Sequence, residues 1–274
     1  MTKNISILGC GWLGLPLANK LVAQGYTVLG STTQSGKLGV LKQAGIQPFL
    51  IELSPKINQP FHQEFFRSDV LVVNIPPGRK RENTEDFYPQ QVREILRQNP
   101  TPKILFVSST SVYPNFNREV TEDDLPADES ELQSLRASGR ALIAAEQLVQ
   151  QYSEQATVVR FCGLMGPERH PGRFLAGKKL KSSGQAPVNF IHLDDCVAII
   201  VKIIQENTWG EIFNACADKH PTKEKFYNKA AQRVGQEPPE FLSGEIPSFK
   251  SINSKSLKMK LTYQFKYGNP SDAL

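Results

Sequence analysis

Short apolar runs alternate with longer segments of helical spacing along most of the chain. An apolar run at residues 5–8 leads directly into a helical pattern at residues 13–24. Such alternation is typical of a parallel sheet with helices on both of its faces. The strands predicted after the first lie at residues 26–31, 48–53, 70–74, 103–108 and 157–161.

A long amphipathic pattern covers residues 131–152 and predicts one helix there. Apolar positions separated by three, four or seven residues form a single stripe on such a helix. The stripe consists of Leu135, Leu142, Ala145, Val149 and Tyr152. This helix connects the last two strands of the predicted sheet.

The pattern changes after residue 161, because residues 163–184 are rich in glycine, proline and basic residues. The elements predicted beyond this stretch are a helix at 194–205, a strand at 211–215 and a helix at 223–234. We therefore predict an α/β fold, with a doubly wound Rossmann domain at 1–165 that includes the return segment 190–215. A smaller, discontinuous substrate-binding lobe is predicted within 166–274, and the substrate crevice is expected between the two.

Three glycines, Gly9, Gly11 and Gly14, separate the first strand from the first helix in the pattern G-x-G-x-x-G. In a dinucleotide site the first glycine makes a tight turn, the second admits the pyrophosphate, and the third lets the helix pack on the strand. The helix N-terminus adds free N–H groups and a positive dipole end. The pattern therefore predicts a nucleotide site that includes Trp12 and Leu13, with a plain glycine-rich turn as the alternative.

The choice between NAD and NADP depends on the residues that follow the second strand. NAD enzymes usually hold the ribose 2′-hydroxyl with a carboxylate about 20 residues past the glycines. No Asp or Glu precedes Glu52 in this chain. Ser31, Thr32 and Thr33 can donate hydrogen bonds to a 2′-phosphate, and Lys37 can supply positive charge, unless it is an ordinary surface lysine. We therefore expect NADP, with NAD as the other candidate.

Five motifs in order closely resemble those of the extended short-chain dehydrogenases/reductases, the NAD(P)-dependent epimerase/dehydratase family. The motifs are S-S-T-S-V-Y-P at 108–114, A-A-E at 144–146, V-R-F-C-G-L-M-G-P at 159–167, F-I-H-L-D-D at 190–195 and G-E-I-F-N at 210–214. G-W-L-G at 11–14 and G-P-E-R-H-P-G-R-F at 166–174 are similar to the atypical, YeeZ-like branch. The resemblance implies an NAD(P) cofactor, and it implies that His192 and Asp195 fix the interface between the lobes.

The resemblance breaks down at the active-site helix, and the glycine turn also departs from the family's usual G-x-x-G-x-x-G. The family carries Tyr-x-x-x-Lys, and these places align with Ser138 and Leu142. A serine hydroxyl is too weak an acid to replace the phenol. The resemblance makes Ser109 the catalytic hydroxyl, and Tyr113 is a candidate substitute phenol. The alternatives are that Ser109 caps a loop and that Tyr113 packs in the interior.

A compact basic turn carries Arg169, His170 and Arg173, in the region that faces substrate in the family. The planar fork of arginine suits phosphate or carboxylate. These three residues are therefore candidates for binding an anionic small molecule, and a solvated loop is the alternative. The remaining candidates for cofactor contact are Ile75, Pro76 and Ser108.

Composition excludes several other classes of protein. Hydrophobic residues make up 39% of 274, and no run approaches the ~20 apolar residues of a membrane span. The first strand begins almost at Met1, so we expect no signal peptide and a cytoplasmic protein. Four scattered cysteines suggest a reducing compartment and no metal site. The net charge is +5, and the basic clusters at 79–81 and 178–181 indicate solvated surface rather than nucleic-acid binding.

Two functions remain open at this point. The first is an NADP-dependent oxidoreductase or epimerase-like enzyme with a nonstandard proton donor, acting on a small molecule. The second is a catalytically inactive module that senses NADP(H). The complete substrate lobe and the serine motif favour the enzyme, whereas Ser138 and Leu142 favour the sensor. Whether the protein forms a homodimer also stays open.

Overall fold

The computed structural model describes residues 3–54, 56–57, 63–78, 83–101 and 103–274. Within these ranges the strands are β1 Asn4–Leu8, β2 Thr27–Thr32, β3 Gln47–Leu50, β4 Leu53–Ser54, β5 Lys56–Ile57, β6 Val70–Val73, β7 Ile104–Ser109, β8 Arg118–Val120, β9 Ala156–Phe161, β10 Gly163–Met165, β11 Phe190–His192, β12 Ile212–Ala215 and β13 Lys250–Ile252. The helices are α1 Gly14–Ala23, α2 Leu38–Gln43, α3 Gln63–Phe66, α4 Thr84–Gln98, α5 Glu129–Ser134, α6 Ala137–Tyr152, α7 Leu193–Glu206, α8 Lys223–Arg233 and α9 Lys255–Lys260.

Seven parallel strands form the central sheet in the order β12-β9-β7-β6-β1-β2-β3. The chain runs outward from β1 through β2 and β3, and then returns to the other side of β1 with β6. Helices α1 and α7 pack together on one face, and α4 and α6 pack together on the other. All four residues of β6 are buried, as expected for a strand covered on both faces. The predicted doubly wound fold is confirmed, and its strand order reverses between β1 and β6.

The single helix predicted at 131–152 is two helices in the structure. Leu135 and Arg136 adopt extended backbone angles between α5 and α6. The break lets α6 lie directly against the loop after β7, where a Cβ on Gly139 would come within 2.5 Å of the Ser111 carbonyl oxygen. Tyr152, expected on the apolar stripe, is 41% exposed at the end of α6. The stripe is therefore shorter than the sequence pattern indicated.

Helix α4 has no counterpart in the sequence prediction. Its mean polarity is high and Pro89 lies inside it, and both features argue against a helix. Its buried side nevertheless has helical spacing and packs against α6. The apolar residues on that side are Tyr88, Pro89, Val92, Ile95 and Leu96. Packing of this face outweighs the unfavourable local sequence.

The segment after β9 forms a second, smaller apolar cluster. It contains Met165, Val188, Phe190 and Phe226, and the rings of Phe190 and Phe226 stack with centroids 4.8 Å apart. Strand β10 pairs with β11, and β13 pairs with β8, each in parallel. We call residues 216–274 the C-terminal lobe; the two-lobe division of the chain itself stays a prediction.

Asp195, at the start of α7, anchors the last part of the chain. Its buried carboxylate accepts hydrogen bonds from the Tyr263 hydroxyl (2.7 Å) and from the backbone N–H groups of Lys266 (2.7 Å) and Tyr267 (3.2 Å). His192 caps α7 through Nδ1 and packs its ring against Tyr267. These contacts fasten residues 263–267 to the start of α7. That His192 and Asp195 fix an interface between two lobes stays a prediction.

Candidate functional site

The glycine turn lies between β1 and α1, where the strand order reverses. Gly9 has φ +104°, and a Cβ there would lie 2.5 Å from the Asn74 carbonyl oxygen. A Cβ on Gly14 would lie 2.1 Å from the Gly9 carbonyl oxygen. The Asn74 amide donates to that same oxygen (2.9 Å), and the Gly9 N–H donates to Ser31 Oγ (2.9 Å). The protein's own packing therefore requires the first and third glycines.

Gly11 is different, because the protein itself leaves room beside it. A Cβ on Gly11 would meet no protein atom within 4 Å. No side chain caps the N-terminus of α1 at Leu13, and the first turn carries no acidic residue. The Leu15 N–H already donates to the Gly11 carbonyl oxygen (3.0 Å), and Pro16 has no N–H. Within the described residues the N–H groups of Trp12, Leu13 and Gly14 have no protein partner, and they lie with the positive dipole end of α1 beside an open space. That combination fits a phosphate group held by the backbone.

Trp12 joins the glycine turn to the basic turn at residues 169–173. Its indole Nε1 donates to the Pro167 carbonyl oxygen (2.6 Å). The Arg169 guanidinium lies over the indole ring, 4.4 Å from its centroid. Trp12, a predicted cofactor residue, is therefore in contact with Arg169, a predicted substrate residue. The backbone of Trp12 remains part of the glycine turn.

The four candidates for recognising the 2′-position separate into two pairs. Ser31 and Thr32 are buried, and their hydroxyls accept hydrogen bonds from the backbone N–H groups of Gly9 and Gln34. They brace the turns on either side of β2. Thr33 and Lys37 are exposed beyond the end of β2, so their side chains are accessible to a ligand.

An acidic residue that sequence spacing passed over lies at the same edge. The N–H of Ile51 donates to the Thr32 carbonyl oxygen (3.0 Å), and exposed Glu52 follows directly. Glu52 comes from the end of β3, which pairs with β2. The sequence could have indicated Glu52 through its place after the third strand, because neighbouring parallel strands end at the same edge of a sheet. A fixed distance from the glycines does not find it.

Candidates from the next strands reach the same edge of the sheet. Ile75 and Pro76 follow β6; Ile75 is half-buried, its carbonyl oxygen accepts the Tyr88 hydroxyl (2.8 Å), and Pro76 is exposed. Ser109 ends β7 and is half-buried, and its Oγ accepts the Ser111 N–H (3.2 Å). Ser109 therefore caps the loop, and its hydroxyl proton remains free to be donated.

Helix α6 passes the serine loop without bringing a phenol or an ammonium to it. Ser138 is half-buried near the start of the helix, one residue before the close contact of Gly139 with Ser111. Leu142 is buried in the hydrophobic core. Packing therefore explains Leu142, as its place on the apolar stripe indicated.

A buried polar network connects four of the five sequence motifs. The Arg160 guanidinium binds Glu146 (2.7 Å) and donates to the Tyr113 hydroxyl (2.6 Å). The Tyr113 hydroxyl donates to Asn214 Oδ1 (2.7 Å), and the Ser108 hydroxyl donates to Glu146. All five side chains are buried, and burial raises the pKa of the Tyr113 phenol.

The network determines whether the hydroxyls of Tyr113 and Ser108 are available to a ligand. Tyr113 is fully buried with both hydrogen-bonding roles of its hydroxyl taken, so it can meet a ligand only if the network breaks. Its geometry favours interior packing over proton donation. Ser108 is likewise committed to Glu146 through its hydroxyl.

The basic turn docks on the C-terminal lobe through Gly172, where a Cβ would come within 2.1 Å of the Ala230 carbonyl oxygen. His170 Nδ1 accepts the Gly172 N–H (3.1 Å) and caps the turn. Burial, and then the charge of Arg173, lower the pKa of His170. Arg169 and Arg173 are both exposed, but Arg169 lies on Trp12. The structure thus associates His170 with Arg173 and directs Arg169 toward the glycine turn.

Lys250 is a charged group at this site that sequence reasoning missed. It lies on β13 in the C-terminal lobe, and its ammonium donates to the Tyr113 carbonyl oxygen in the loop after β7. Burial lowers its pKa to about 8. Only the fold brings residues 113 and 250 together, so no local pattern could have shown this contact.

The remaining predictions concern metals, membranes and basic clusters. Among the described residues no group of three His, Cys, Asp or Glu side chains can hold a metal ion. The helices described here are all too short or too polar to span a bilayer. The four cysteines are free and buried. The basic cluster at 79–81 and His62 lie outside the described residues, while Lys178 and Lys179 are exposed, as a solvated surface requires.

Comparison with known sequences identifies relatives along nearly the whole chain. A sequence model of the NAD dependent epimerase/dehydratase family matches residues 5–216. Protein YeeZ of Escherichia coli strain K12 is 32% identical over 275 residues, which cover 98% of this chain and 97% of YeeZ. The expected resemblance to the YeeZ-like branch is therefore confirmed.

Solved structures share the fold. UDP-glucuronic acid 4-epimerase from Bacillus cereus, solved with NAD, has a TM-score of 0.79 at 17% identity, covering 98% of this chain and 95% of that chain. UDP-glucose 4-epimerase from Thermotoga maritima, solved with UDP-glucose, has a TM-score of 0.72 at 17% identity, covering 96% and 94%. At this identity the likeness establishes the Rossmann architecture.

Proposed function

Because the chain belongs to the NAD dependent epimerase/dehydratase family, we propose that it is an NADP(H)-dependent enzyme acting on a small anionic molecule. The observation that carries this proposal is the open space beside Gly11 at the uncapped N-terminus of α1. Doubly wound folds bind dinucleotides where the strand order reverses, and this turn lies there.

The residues present fit the pyrophosphate of a dinucleotide. Gly9 and Gly14 fix the turn by close contacts within the protein, and Gly11 leaves the backbone accessible. The N–H groups at the start of α1 face no carboxylate of their own first turn. In this assignment Trp12 and Leu13 contribute backbone N–H groups, while the Trp12 side chain holds the neighbouring turn through Pro167.

Preference for NADP over NAD rests on the edge beyond β2. Thr33 and Lys37 are exposed there, and in this assignment they contact the 2′-phosphate as a hydroxyl donor and a cation. Ser31 and Thr32 support them by bracing the backbone. Exposed Glu52 follows Ile51 at this edge, and its negative charge opposes binding of a 2′-phosphate, so Thr33 and Lys37 must outweigh it.

When bound, NADP(H) supplies or accepts a hydride. Ser109 lies at the end of β7, and its hydroxyl keeps a proton that it can donate. In this proposal it orients the substrate oxygen. Ser138 and Leu142 occupy the positions of the family's tyrosine and lysine, so that pair does not transfer the proton in this chain.

The substrate lies between the loop after β7 and the C-terminal lobe. In this assignment Arg173 binds a carboxylate or phosphate of the substrate, with His170 shaping the turn and Arg169 contributing from its place on Trp12. Arginine suits this role because two parallel N–H groups match two anionic oxygens. We place the protein in the cytoplasm, where its four free cysteines stay reduced.

The second candidate function is an NADP(H) sensor without catalysis. The observation that favours it is the buried Leu142 in place of an ammonium. The test is a turnover screen of the full chain with NADPH and small carbonyl compounds, and with NADP⁺ and small hydroxy compounds, followed by NADPH fluorescence. Turnover that falls in Ser109→Ala supports the enzyme, and tight NADPH binding without any turnover supports the sensor. Sedimentation of the same sample tests the homodimer.

A further inference from the structure

Lys250 is held rigidly where the C-terminal lobe meets the loop after β7. Strand β13, which Lys250 begins, pairs in parallel with β8. The Asn189 side chain brackets it, since Asn189 Nδ2 donates to the Lys250 carbonyl oxygen (2.8 Å) and the Ile252 N–H donates to Asn189 Oδ1 (3.0 Å). The backbone that carries the ammonium is therefore fixed on both sides.

Among the residues that the structure describes, the ammonium has one hydrogen-bond partner and no counter-charge. It donates to the Tyr113 carbonyl oxygen, whereas a lysine ammonium has three donors. Throughout the described ranges no carboxylate lies within ion-pair distance of Lys250, in contrast to Lys258, which pairs with Asp218. A half-buried cation without a counter-charge is unfavourable, and burial lowers its pKa to about 8.

Charged groups on the neighbouring elements are already engaged. Arg118, the register partner of Lys250 on β8, pairs with Asp124 (2.7 Å). Glu119, the next residue on β8, accepts a hydrogen bond from the Asn253 side chain (2.7 Å). Neither the Asp124 carboxylate nor the Glu119 carboxylate supplies the counter-charge that Lys250 lacks.

We propose that Lys250 binds an anionic oxygen group, a phosphate or a carboxylate, of the substrate held between the loop after β7 and the C-terminal lobe. This inference rests on the proposed function, because it places the substrate in the same crevice. The anion takes the two ammonium donors that the protein leaves unused and supplies the missing charge. Through the bond to Tyr113, the same ammonium connects the anion site to the loop that directly follows Ser109.

The first test compares Lys250→Met with Lys255→Met, a matched change at an exposed lysine on the same lobe. The probes are inorganic phosphate and citrate, titrated by calorimetry into protein saturated with NADPH. We expect Lys250→Met to weaken the recognised anion tenfold or more, and Lys255→Met to leave it unchanged. Loss of phosphate binding identifies a phosphate site, and loss of citrate binding identifies a carboxylate site.

Equal affinities in the wild type and Lys250→Met, or no binding of either anion to the wild type, would overturn the inference. NADPH affinity is measured on every variant. It should not change in Lys250→Met, because the glycine turn binds the pyrophosphate. A wild type that binds the anion through Lys250 but not NADPH therefore refutes the proposed cofactor and leaves the anion site intact.

A second measurement covers the case in which Lys250→Met does not fold. Trace labelling of the wild type with acetic anhydride, read by mass spectrometry, reports the reactivity of each lysine. We expect phosphate or citrate to protect Lys250 from labelling and to leave Lys255 unprotected. Equal labelling of Lys250 with and without either anion would refute the proposed site.

Discussion

The buried network around Arg160 gives the sharpest stability prediction. Arg160→Met replaces the guanidinium with an uncharged side chain and removes every hydrogen bond that the Arg160 side chain makes. The lost partners are the Glu146 carboxylate, the Tyr113 hydroxyl and the Glu122 carbonyl oxygen. Glu146, 1% exposed, keeps only the Ser108 hydroxyl among these contacts. The substitution therefore leaves an uncompensated charge in the core.

Breaking a buried ion pair from one side costs about 3–5 kcal/mol. For a domain of about 150–250 residues, one kcal/mol shifts the melting temperature by about 2–4 °C. We therefore expect Arg160→Met to lower the melting temperature by roughly 6–20 °C. The control is Arg118→Met at the surface pair Arg118–Asp124, whose side chains are 53% and 20% exposed. Solvent screens this exposed pair, so Arg118→Met should leave the melting temperature close to that of the wild type.

Thermal melts of the wild type, the two single variants and the double variant Arg160→Met/Glu146→Leu measure these shifts, and urea denaturation of the same proteins measures the free energies of unfolding. The double variant should recover much of the loss, because it removes both charges. If Arg160→Met lies within about 1 kcal/mol of the wild type, the network does not hold a buried charge and this account of the shared motifs fails.

Three further predictions follow from the site. Gly11→Val should abolish dinucleotide binding at unchanged stability, whereas Gly14→Ala should unfold at a lower urea concentration because its Cβ meets the Gly9 carbonyl oxygen. The reverse pattern would contradict the assignment of Gly11 to the ligand and of Gly14 to the protein's own packing. Arg173→Ala should weaken an anionic ligand about tenfold in a calorimetric panel at unchanged NADPH affinity, and loss of NADPH binding would instead assign the turn to the cofactor. Because the folded-state pKa of Lys250 lies near 8, below its usual 10.5, the unfolded chain binds more protons between those values. The wild type should therefore gain stability relative to Lys250→Met as pH rises from 8 to 10.5, and a constant difference would contradict this.

Local sequence was enough for the elements whose packing follows from their own pattern. The strand, glycine turn and helix around Gly9 and Gly14 follow one another within about 20 consecutive residues, and the close contact of Gly14 is with Gly9 in that unit. The close contact of Gly9, with the Asn74 carbonyl oxygen after β6, lies outside it. The sequence did not predict α4, because Pro89 and many polar residues obscure the helical spacing of its apolar face. That face becomes buried by packing against α6. The break at Leu135 was missed because it depends on the loop carrying Ser111.

The site was less predictable, because its groups come from distant parts of the chain. Lys250 meets the Tyr113 carbonyl oxygen across 137 positions. Glu52 reaches the end of β2 only through the pairing of β3. Tyr113 and Ser108 matched the motif in sequence, but the burial that engages their hydroxyls depends on Arg160 and Glu146 from other elements.

The central claim is that this glycine turn binds NADP(H) in preference to NAD(H). Fluorescence titration of the full chain with NADPH and with NADH tests it directly, and Lys37→Ala reports on the 2′-phosphate. We expect NADPH to bind at least tenfold more tightly than NADH, and Lys37→Ala to weaken NADPH alone. Equal or tighter binding of NADH, or binding of neither dinucleotide, would contradict the account.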